Sequence, residues 1–98
     1  MKKKVPILIM VFNRPDLTKK TFERIMKYRP EKLYIGCDGP RPGNSEDKKL
    51  NNEVKKIFKK INWKCKVFKS YSKKNLGIKI RTVKSLKWFF SKEKKGII

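Results

Sequence analysis

The sequence predicts an α/β fold, in which helices cover a mostly parallel sheet of about four strands. Short apolar runs alternate with segments whose apolar residues recur at helical spacing, and turn residues separate the two kinds of segment. The resulting order is strand-helix-strand-helix-strand-helix-strand. Alternation of this kind is typical of right-handed strand-helix-strand units. We find no internal repeat or linker and therefore expect one domain over residues 1–98.

The first strand is predicted over residues 5–12, an unbroken apolar run that indicates a strand covered on both faces. Pro15 suits the first turn of the helix that follows, and Arg29-Pro30 ends it. The residues expected to face the sheet from this helix lie at helical spacing: Leu17, Thr21, Phe22, Ile25 and Met26.

The second strand is predicted over residues 32–37 and runs into a dense turn signal over residues 38–43. Ser45 is the predicted N-cap of the second helix. The inward residues of that helix recur with a clear helical period: Leu50, Val54, Ile57, Phe58 and Ile61. A third strand is predicted over residues 64–71.

The third helix is predicted over about residues 79–91, after a polar loop that ends in Leu76-Gly77. Its apolar residues are expected to face the sheet: Ile80, Val83, Leu86 and Phe90. Gly96-Ile97-Ile98 then has the character of the start of a fourth strand. Because such a strand usually continues for about 4–8 apolar residues, we interpret the sequence as the N-terminal part of a longer, truncated fold.

The net charge of +21 comes almost entirely from lysine, and the lysines occur in every predicted element. Two interpretations stay open. The lysines can reflect AT-rich coding DNA combined with solvated helix faces, or they can form a functional basic surface. A functional surface would suit an anionic membrane as well as nucleic acid, although base recognition favours arginine over lysine.

Cys37 and Cys65 are too few and too far apart for a disulfide framework or a zinc site. Both fall in predicted strands, so we expect buried, reduced thiols, which suit the cytoplasm. The chain has no histidine, which excludes histidine base and histidine-metal chemistry within it. No apolar run approaches the roughly 20 residues of a membrane span, so we expect a cytoplasmic protein or one bound peripherally to a membrane.

Polar residues follow each of the three predicted strands. Because ligands of open parallel sheets bind beyond the carboxyl ends of the strands, these residues are expected to meet at one edge. Taken singly, each is also what a turn, a helix cap or a solvated surface would contain. The candidate nucleotide-binding residues are Asn13, Arg14, Asp38, Asn75, Gly77 and Lys79.

The chemistry of this set suits a nucleotide. The carboxylate of Asp38 can accept hydrogen bonds from a base or a ribose hydroxyl, and Arg14 can stack on a base or pair with an oxygen. A helix that begins after Gly77 offers backbone N–H groups to a phosphate, helped by Lys79. Neither a GxGxxG nor a Walker motif is present, which argues against a dehydrogenase or a P-loop enzyme.

The ordered segments VPILIMVFNRP, YIGCDGPR, KNLGIKIRTVKSLKWFF and KKGII resemble the N-terminal half of GT-A-fold glycosyltransferases. The likeness is to bacterial nucleotide-diphospho-sugar transferases of the N-acetylglucosaminyltransferase I type, and it covers nearly the whole chain. It implies a Rossmann-like sheet and a UDP-sugar donor. Arg14 and Asp38 match the family's nucleotide contacts, and Lys79 matches a basic residue early in the third helix. Asn75-Leu76-Gly77 resembles the loop that shapes the pocket.

The resemblance also implies what residues 1–98 do not contain. The family's acidic metal motif follows the fourth strand, and its catalytic base lies in the acceptor half; nothing in this sequence matches either. The longer protein is then expected to be a hexosyl- or N-acetylhexosaminyl-transferase that depends on Mn2+ or Mg2+ and acts on a glycan or lipid-linked acceptor. Residues 1–98 are expected to bind the donor nucleotide without catalysing transfer.

Two alternatives to the glycosyltransferase interpretation stay open. The first is a basic, non-enzymatic module that binds nucleic acid or an anionic membrane surface. The second is another nucleotide-handling α/β enzyme, such as a nucleotidyltransferase. That group often has a glycine-rich loop after its first strand, where this chain has Asn-Arg-Pro-Asp.

Overall fold

The computed structural model describes residues 4–98, which form a parallel sheet of three strands with helices between them. The elements in chain order are β1 (Ile7–Val11), α1 (Pro15–Tyr28), β2 (Lys32–Cys37), α2 (Ser45–Ile57), β3 (Lys66–Tyr71) and α3 (Ile78–Lys92). A short 3₁₀ turn, Phe58–Lys60, follows α2. The strands lie in the order β1-β2-β3, and both neighbouring pairs are parallel. The predicted α/β class and the parallel sheet are therefore confirmed.

The predicted fourth strand is present as a single bridge rather than as a strand. Ile97 pairs in parallel with Ile7. The N–H of Leu8 donates to the carbonyl of Ile97 at 2.8 Å, and the N–H of Ile97 donates to the carbonyl of Pro6 at 3.0 Å. The bridge occupies the edge of β1 that β2 does not use, since backbone groups of successive strand residues point to opposite edges. The described residues thus form three strands and one bridge instead of about four strands.

The face of the sheet covered by α1 and α2 holds the larger apolar core. Its buried members come from β1, β2, α1, α2 and the 3₁₀ turn: Ile7, Ile9, Phe22, Ile25, Leu33, Ile35, Val54 and Phe58. Phe22 and Phe58 meet edge to face with ring centroids 5.6 Å apart, an arrangement that aromatic pairs favour. The indole N–H of Trp63 donates to the carbonyl of Pro30 at 2.8 Å and closes the core at its rim.

Helix α1 is rotated slightly from its predicted orientation. Phe22 and Ile25 are buried as expected, but Thr18 is the third buried residue, while Leu17 is 54% exposed and Thr21 is also exposed. Leu17 lies towards the edge of β1 that β2 does not use, rather than over the sheet. The N-cap of α2 also differs from the prediction. Asn44, not Ser45, caps the helix, because the Asn44 side chain accepts the N–H of Asp47 at 2.8 Å.

Helix α3 covers the other face of the sheet, and its predicted packing face is wrong. Phe89 is buried against Leu8 and Tyr34 in a small apolar cluster. The exposed fractions of the predicted inward residues Ile80, Val83 and Phe90 are 61%, 46% and 47%. Leu86 packs against the cluster, and the exposed Phe90 meets Phe89 only edge to face, with ring centroids 5.1 Å apart. The residues that face the sheet are Arg81, Ser85 and Phe89.

The rotation of α3 has a physical cause in β2 and β3. Gly36 of β2 faces this helix, and a Cβ there would lie 2.4 Å from the hydroxyl oxygen of Ser85, so the absence of a side chain lets α3 approach closely. The Arg81 guanidinium donates to the hydroxyl of Ser72 at 2.7 Å and to the hydroxyl of Ser70 at 2.9 Å. These bonds fix a charged residue, not an apolar one, against the sheet.

The two cysteines are free thiols. Cys37 is buried at the end of β2, whereas Cys65 is partly buried and lies just before β3 rather than within it. Burial raises the pKa of both thiols. Among the residues from 4 to 98, no helix has the length and apolar character needed to cross a membrane.

Candidate functional site

A cleft of about 1050 Å³ runs along the edge of β1 that β2 does not use, between α1 and the start of α3. One wall is apolar and comes mainly from β1, Leu17, Ile78 and the Ile97-Ile98 segment. Polar residues from the carboxyl ends of the strands and the start of α3 line one end of the cleft: Asn13, Arg14, Asp38, Arg41, Asn75, Gly77, Arg81 and Thr82. Helix α1 adds polar lining along its length with Thr18, Thr21, Arg24 and Tyr28. The cleft therefore joins an apolar wall to a polar, arginine-rich end.

Asp38 organises the loop that precedes α3. Its side chain is almost fully buried, at 5% exposure. One carboxylate oxygen accepts the N–H groups of Gly39 and Leu76, each at 2.9 Å. The other accepts the N–H of Gly77 at 3.0 Å and the side-chain amide of Asn75 at 3.2 Å. A carboxylate has about four acceptor positions, so these four donors use the acceptor capacity of Asp38.

Asn75 and Gly77 complete the same loop. The side-chain amide of Asn75 also donates to the carbonyl of Gly39 at 2.8 Å, which ties the loop after β3 to the loop after β2. Gly77 has a φ of 84° and so occupies the left-handed region that favours glycine. Because its N–H is bonded to Asp38, Gly77 itself has no free N–H for a phosphate. The N–H groups beyond it, in the first turn of α3, are the ones available.

A second polar cluster fixes the loop after β2 to α2. Asp47 is buried, and Arg41 reaches both of its carboxylate oxygens, at 2.6 and 2.8 Å. Asn13 donates to the same carboxylate at 3.0 Å. The bonds from Arg41 and then from Asn13 hold the pKa of Asp47 well below its usual range, against the opposing effect of burial. Asn13 therefore lines the cleft while its amide is committed to this cluster.

Arg81 is the functional candidate that the sequence pattern missed. Its exposed fraction is 4%, its guanidinium bonds to Ser70 and Ser72, and its Nε atom is buried with no hydrogen-bond partner among the described residues. Burial lowers the pKa of the Arg81 guanidinium, and the nearby charge of Asp38 opposes that lowering. The available signal was the spacing of Arg81 from Gly77, four positions and one helical turn, which places both residues on one side of α3.

Arg14 and Lys79 differ in their relation to the cleft. Arg14 is the exposed residue before α1 and lines the cleft, and within residues 4–98 its side chain forms no hydrogen bond or ion pair. Lys79 is also exposed but does not line the cleft. The structure thus brings together five of the six predicted positions, Asn13, Arg14, Asp38, Asn75 and Gly77, and leaves Lys79 outside the group.

The resemblance implies a metal motif outside residues 1–98, so the described residues are not expected to supply its ligands. Asp38 and Asp47 are the buried carboxylates nearest the cleft, and both are already satisfied by protein donors. In residues 4–98, no group of three or more histidine, cysteine or acidic residues is arranged to hold a metal. We therefore derive no catalytic step through a metal.

Comparison of the chain with protein-family models, with curated proteins and with solved structures found no match. The cleft and the residues that line it are therefore the features that bear on function.

Proposed function

We propose that this chain binds the nucleotide of a nucleotide-diphosphate sugar, with uridine diphosphate as the nucleotide, and forms the donor side of a glycosyltransferase site. The observation that carries the proposal is that Arg14, Arg81 and Asn75 line one end of a cleft whose β1 wall is apolar. A nucleotide has matching parts, since it joins an anionic diphosphate to a flat base with a polar rim.

The arginines supply the charge for the diphosphate. Arg14 is unpaired within the described residues, and its guanidinium can bind a phosphate through two parallel hydrogen bonds. Arg81 adds a buried positive charge whose Nε still lacks a partner. The first turn of α3 supports the same end of the cleft, because unpaired N–H groups at a helix start favour anions. Arg41 contributes little, since its charge is neutralised by Asp47.

Asp38 has a revised role in this proposal. Its four bonds to residues 39 and 75–77 leave it no free acceptor for a base or a ribose. Asp38 is therefore a positioning residue that holds the Asn75-Leu76-Gly77 loop against the cleft. The side-chain carbonyl of Asn75, which lines the cleft, is the better acceptor for a base N–H. None of the described residues is assigned a catalytic role.

Calorimetric titration of the chain with uridine diphosphate tests the proposal. We expect saturable one-to-one binding that Arg14→Ala weakens by about tenfold, as for the loss of one charge-assisted contact. Lys20→Ala is the matched control, because it removes the same charge from an exposed position of α1 outside the cleft. Its affinity should equal that of the unmodified chain.

Inorganic pyrophosphate separates nucleotide recognition from general attraction to phosphate. The proposal requires uridine diphosphate to bind more tightly than pyrophosphate, because only the nucleotide can use the apolar wall. Equal affinities, or equal losses in Arg14→Ala and Lys20→Ala, would contradict it. Binding that disappears between low and moderate salt for every ligand would indicate counterion release alone.

A further inference from the structure

The outer face of α3, defined as Ile80, Val83 and Phe90 with the adjacent Lys79, Lys84 and Lys87, is apolar where a solvated helix is normally polar. The three apolar side chains are 61%, 46% and 47% exposed. The helix buries its opposite side, with Arg81, Ser85 and Phe89, against the sheet. Helical spacing places Ile80, Val83, Lys87 and Phe90 in one stripe along the helix.

The charge of this face is entirely positive. Helix α3 contains no acidic residue, and its lysines at positions 79, 84 and 87 are exposed. No ion pair with the rest of the described chain neutralises these three lysines. Lys94 and Lys95, just beyond the helix, are exposed as well. An apolar stripe that includes Lys87 and is flanked by Lys79 and Lys84, with no acidic residue to neutralise them, is the pattern of a helix that lies in a lipid interface.

We propose that the outer face of α3 docks this protein on an anionic lipid surface. The helix lies flat on the membrane, with Ile80, Val83 and Phe90 entering the boundary between headgroups and acyl chains. The flanking lysines extend to the anionic headgroups, since long lysine side chains can keep their stems in apolar surroundings and their ammonium groups in water. Ile80 and Phe90 are about 15 Å apart along the axis at the usual helical rise, enough for a shallow, linear contact.

The composition of the face favours a lipid surface over the other occupants. Nucleic acid would make use of the lysines but leave the apolar stripe unused. A second copy of this chain would bring like charges together, because each copy carries a net charge of +21. A membrane satisfies both parts of the face at once. None of the three apolar residues lines the nucleotide cleft, so docking and nucleotide binding use different residues.

Flotation of the chain with vesicles tests the proposal. Vesicles of phosphatidylglycerol mixed into phosphatidylcholine should bind the protein, and vesicles of pure phosphatidylcholine should not. The triple change Ile80→Ser, Val83→Ser and Phe90→Ser should reduce partitioning at least about tenfold, because it removes three apolar contacts without altering the charge. Circular dichroism should show an unchanged helical content, since none of these side chains is buried.

Lysine variants at matched positions separate a docking face from general basicity. Lys84→Gln with Lys87→Gln should reduce partitioning by about thirtyfold, because each lysine near an anionic surface usually contributes about 1 kcal/mol. Lys48→Gln with Lys49→Gln changes the net charge equally, on exposed positions of α2 that lie over the opposite face of the sheet. This pair should bind vesicles nearly as well as the unmodified chain.

Three results would overturn the proposal. Undiminished vesicle binding by the triple apolar variant would mean that the positive charge alone attracts lipid. Equal losses for the two lysine pairs would mean that no particular face docks. A dimer detected by light scattering, and dissolved by the triple apolar change, would show that a second copy covers this face instead.

Discussion

The two faces of the sheet are built in different ways. The α1/α2 face is a continuous apolar core in which Phe22, Phe58 and Trp63 interlock with strand residues. The α3 face has a small apolar cluster around Phe89 and two buried charged residues, Asp38 and Arg81, each with its own hydrogen bonds. The first face is organised for burial of apolar area. The second holds its loop and its arginine through hydrogen bonds.

This difference relates stability to the candidate site. The α1/α2 face buries enough apolar surface to anchor the strands, so the α3 face can carry polar groups that a self-sufficient core would exclude. The α3 face loses stability by burying polar atoms without hydrogen bonds. These atoms are the Nε of Arg81 and the hydroxyl of Ser85, neither of which has a partner within residues 4–98. This difference predicts that similar substitutions on the two faces will change the free energy of unfolding by different amounts.

The largest difference in stability should appear when one phenylalanine on each face is changed to alanine. Phe22→Ala should lower the free energy of unfolding by about 3–5 kcal/mol, because it leaves a cavity beside Phe58 and Trp63. Phe90→Ala, on the outer face of α3, should cost less than about 1 kcal/mol. Urea denaturation followed by circular dichroism measures both. Similar losses for the two variants would contradict the orientation of α3.

The next largest effect concerns the buried carboxylate of the α3 face. Asp38→Asn replaces one carboxylate oxygen with an NH2 group, which cannot accept the two hydrogen bonds made there. We therefore expect the free energy of unfolding to fall by about 2–3 kcal/mol. Amide hydrogen exchange of Leu76 and Gly77 should accelerate in this variant. Asp16→Asn, an exposed carboxylate in the first turn of α1, is the control and should cost less than about 1 kcal/mol. Unchanged exchange at Leu76 would show that Asp38 does not organise the loop.

The acid sensitivity of the fold should depend on Asp47 more than on Glu93. The pKa of Asp47 is depressed chiefly by Arg41, and that of Glu93 chiefly by the hydroxyl of Tyr34. A carboxyl group with a depressed pKa stabilises the fold above its unfolded value of about 4, and this contribution is lost as the pH falls through the folded pKa.

Urea denaturation at a series of pH values below about 6 measures this loss. Asp47→Asn should make the decline of the unfolding free energy with falling pH shallower, and Glu93→Gln should do so to a smaller extent. If the free energy of unfolding falls as steeply with pH in Asp47→Asn as in the unmodified chain, Asp47 does not contribute to the acid sensitivity.

The smallest effect concerns the rates at which the two thiols are labelled, which report how often the α1/α2 face opens. Cys37 is fully buried, and burial raises its thiol pKa, so a disulfide reagent should modify it only after the fold opens. Cys65 is partly buried and should react first. Mass spectrometry after timed labelling distinguishes the two sites. Faster labelling of Cys37 than of Cys65 would indicate that this core is less closed than the structure describes.

The sequence predicted most of the packing on the α1/α2 face, because apolar residues carry the packing there, although Leu17 and Thr21 are exposed. Phe22, Ile25, Val54 and Phe58 follow the helical period, and all four are buried. The same reasoning failed on α3, where Arg81 and Ser85 face the sheet. Their burial depends on Gly36 and on the serines of β3, which are distant in the chain, so local periodicity does not reveal it.

The candidate site could be predicted in position but not in its bonding. The rule that parallel strands end at one edge correctly grouped Asn13, Asp38 and Asn75. It could not show that the donors to Asp38 come from the chain itself, because those bonds join the loops after two different strands. Lys79 is predicted from the resemblance and from its charge near a helix start, whereas the side of the helix that faces the cleft carries Arg81.

The measurement that tests the central claim most directly is an amide chemical-shift titration of the isotopically labelled chain with uridine diphosphate. The account predicts shifts concentrated at Asn13, Arg14 and residues 75–82, at the cleft end between α1 and α3. The amides of Val54 and Phe58, in the opposite core, should stay unchanged. Shifts distributed over the lysines of α2 and β3, or no shifts at all, would contradict the claim that this cleft binds a nucleotide.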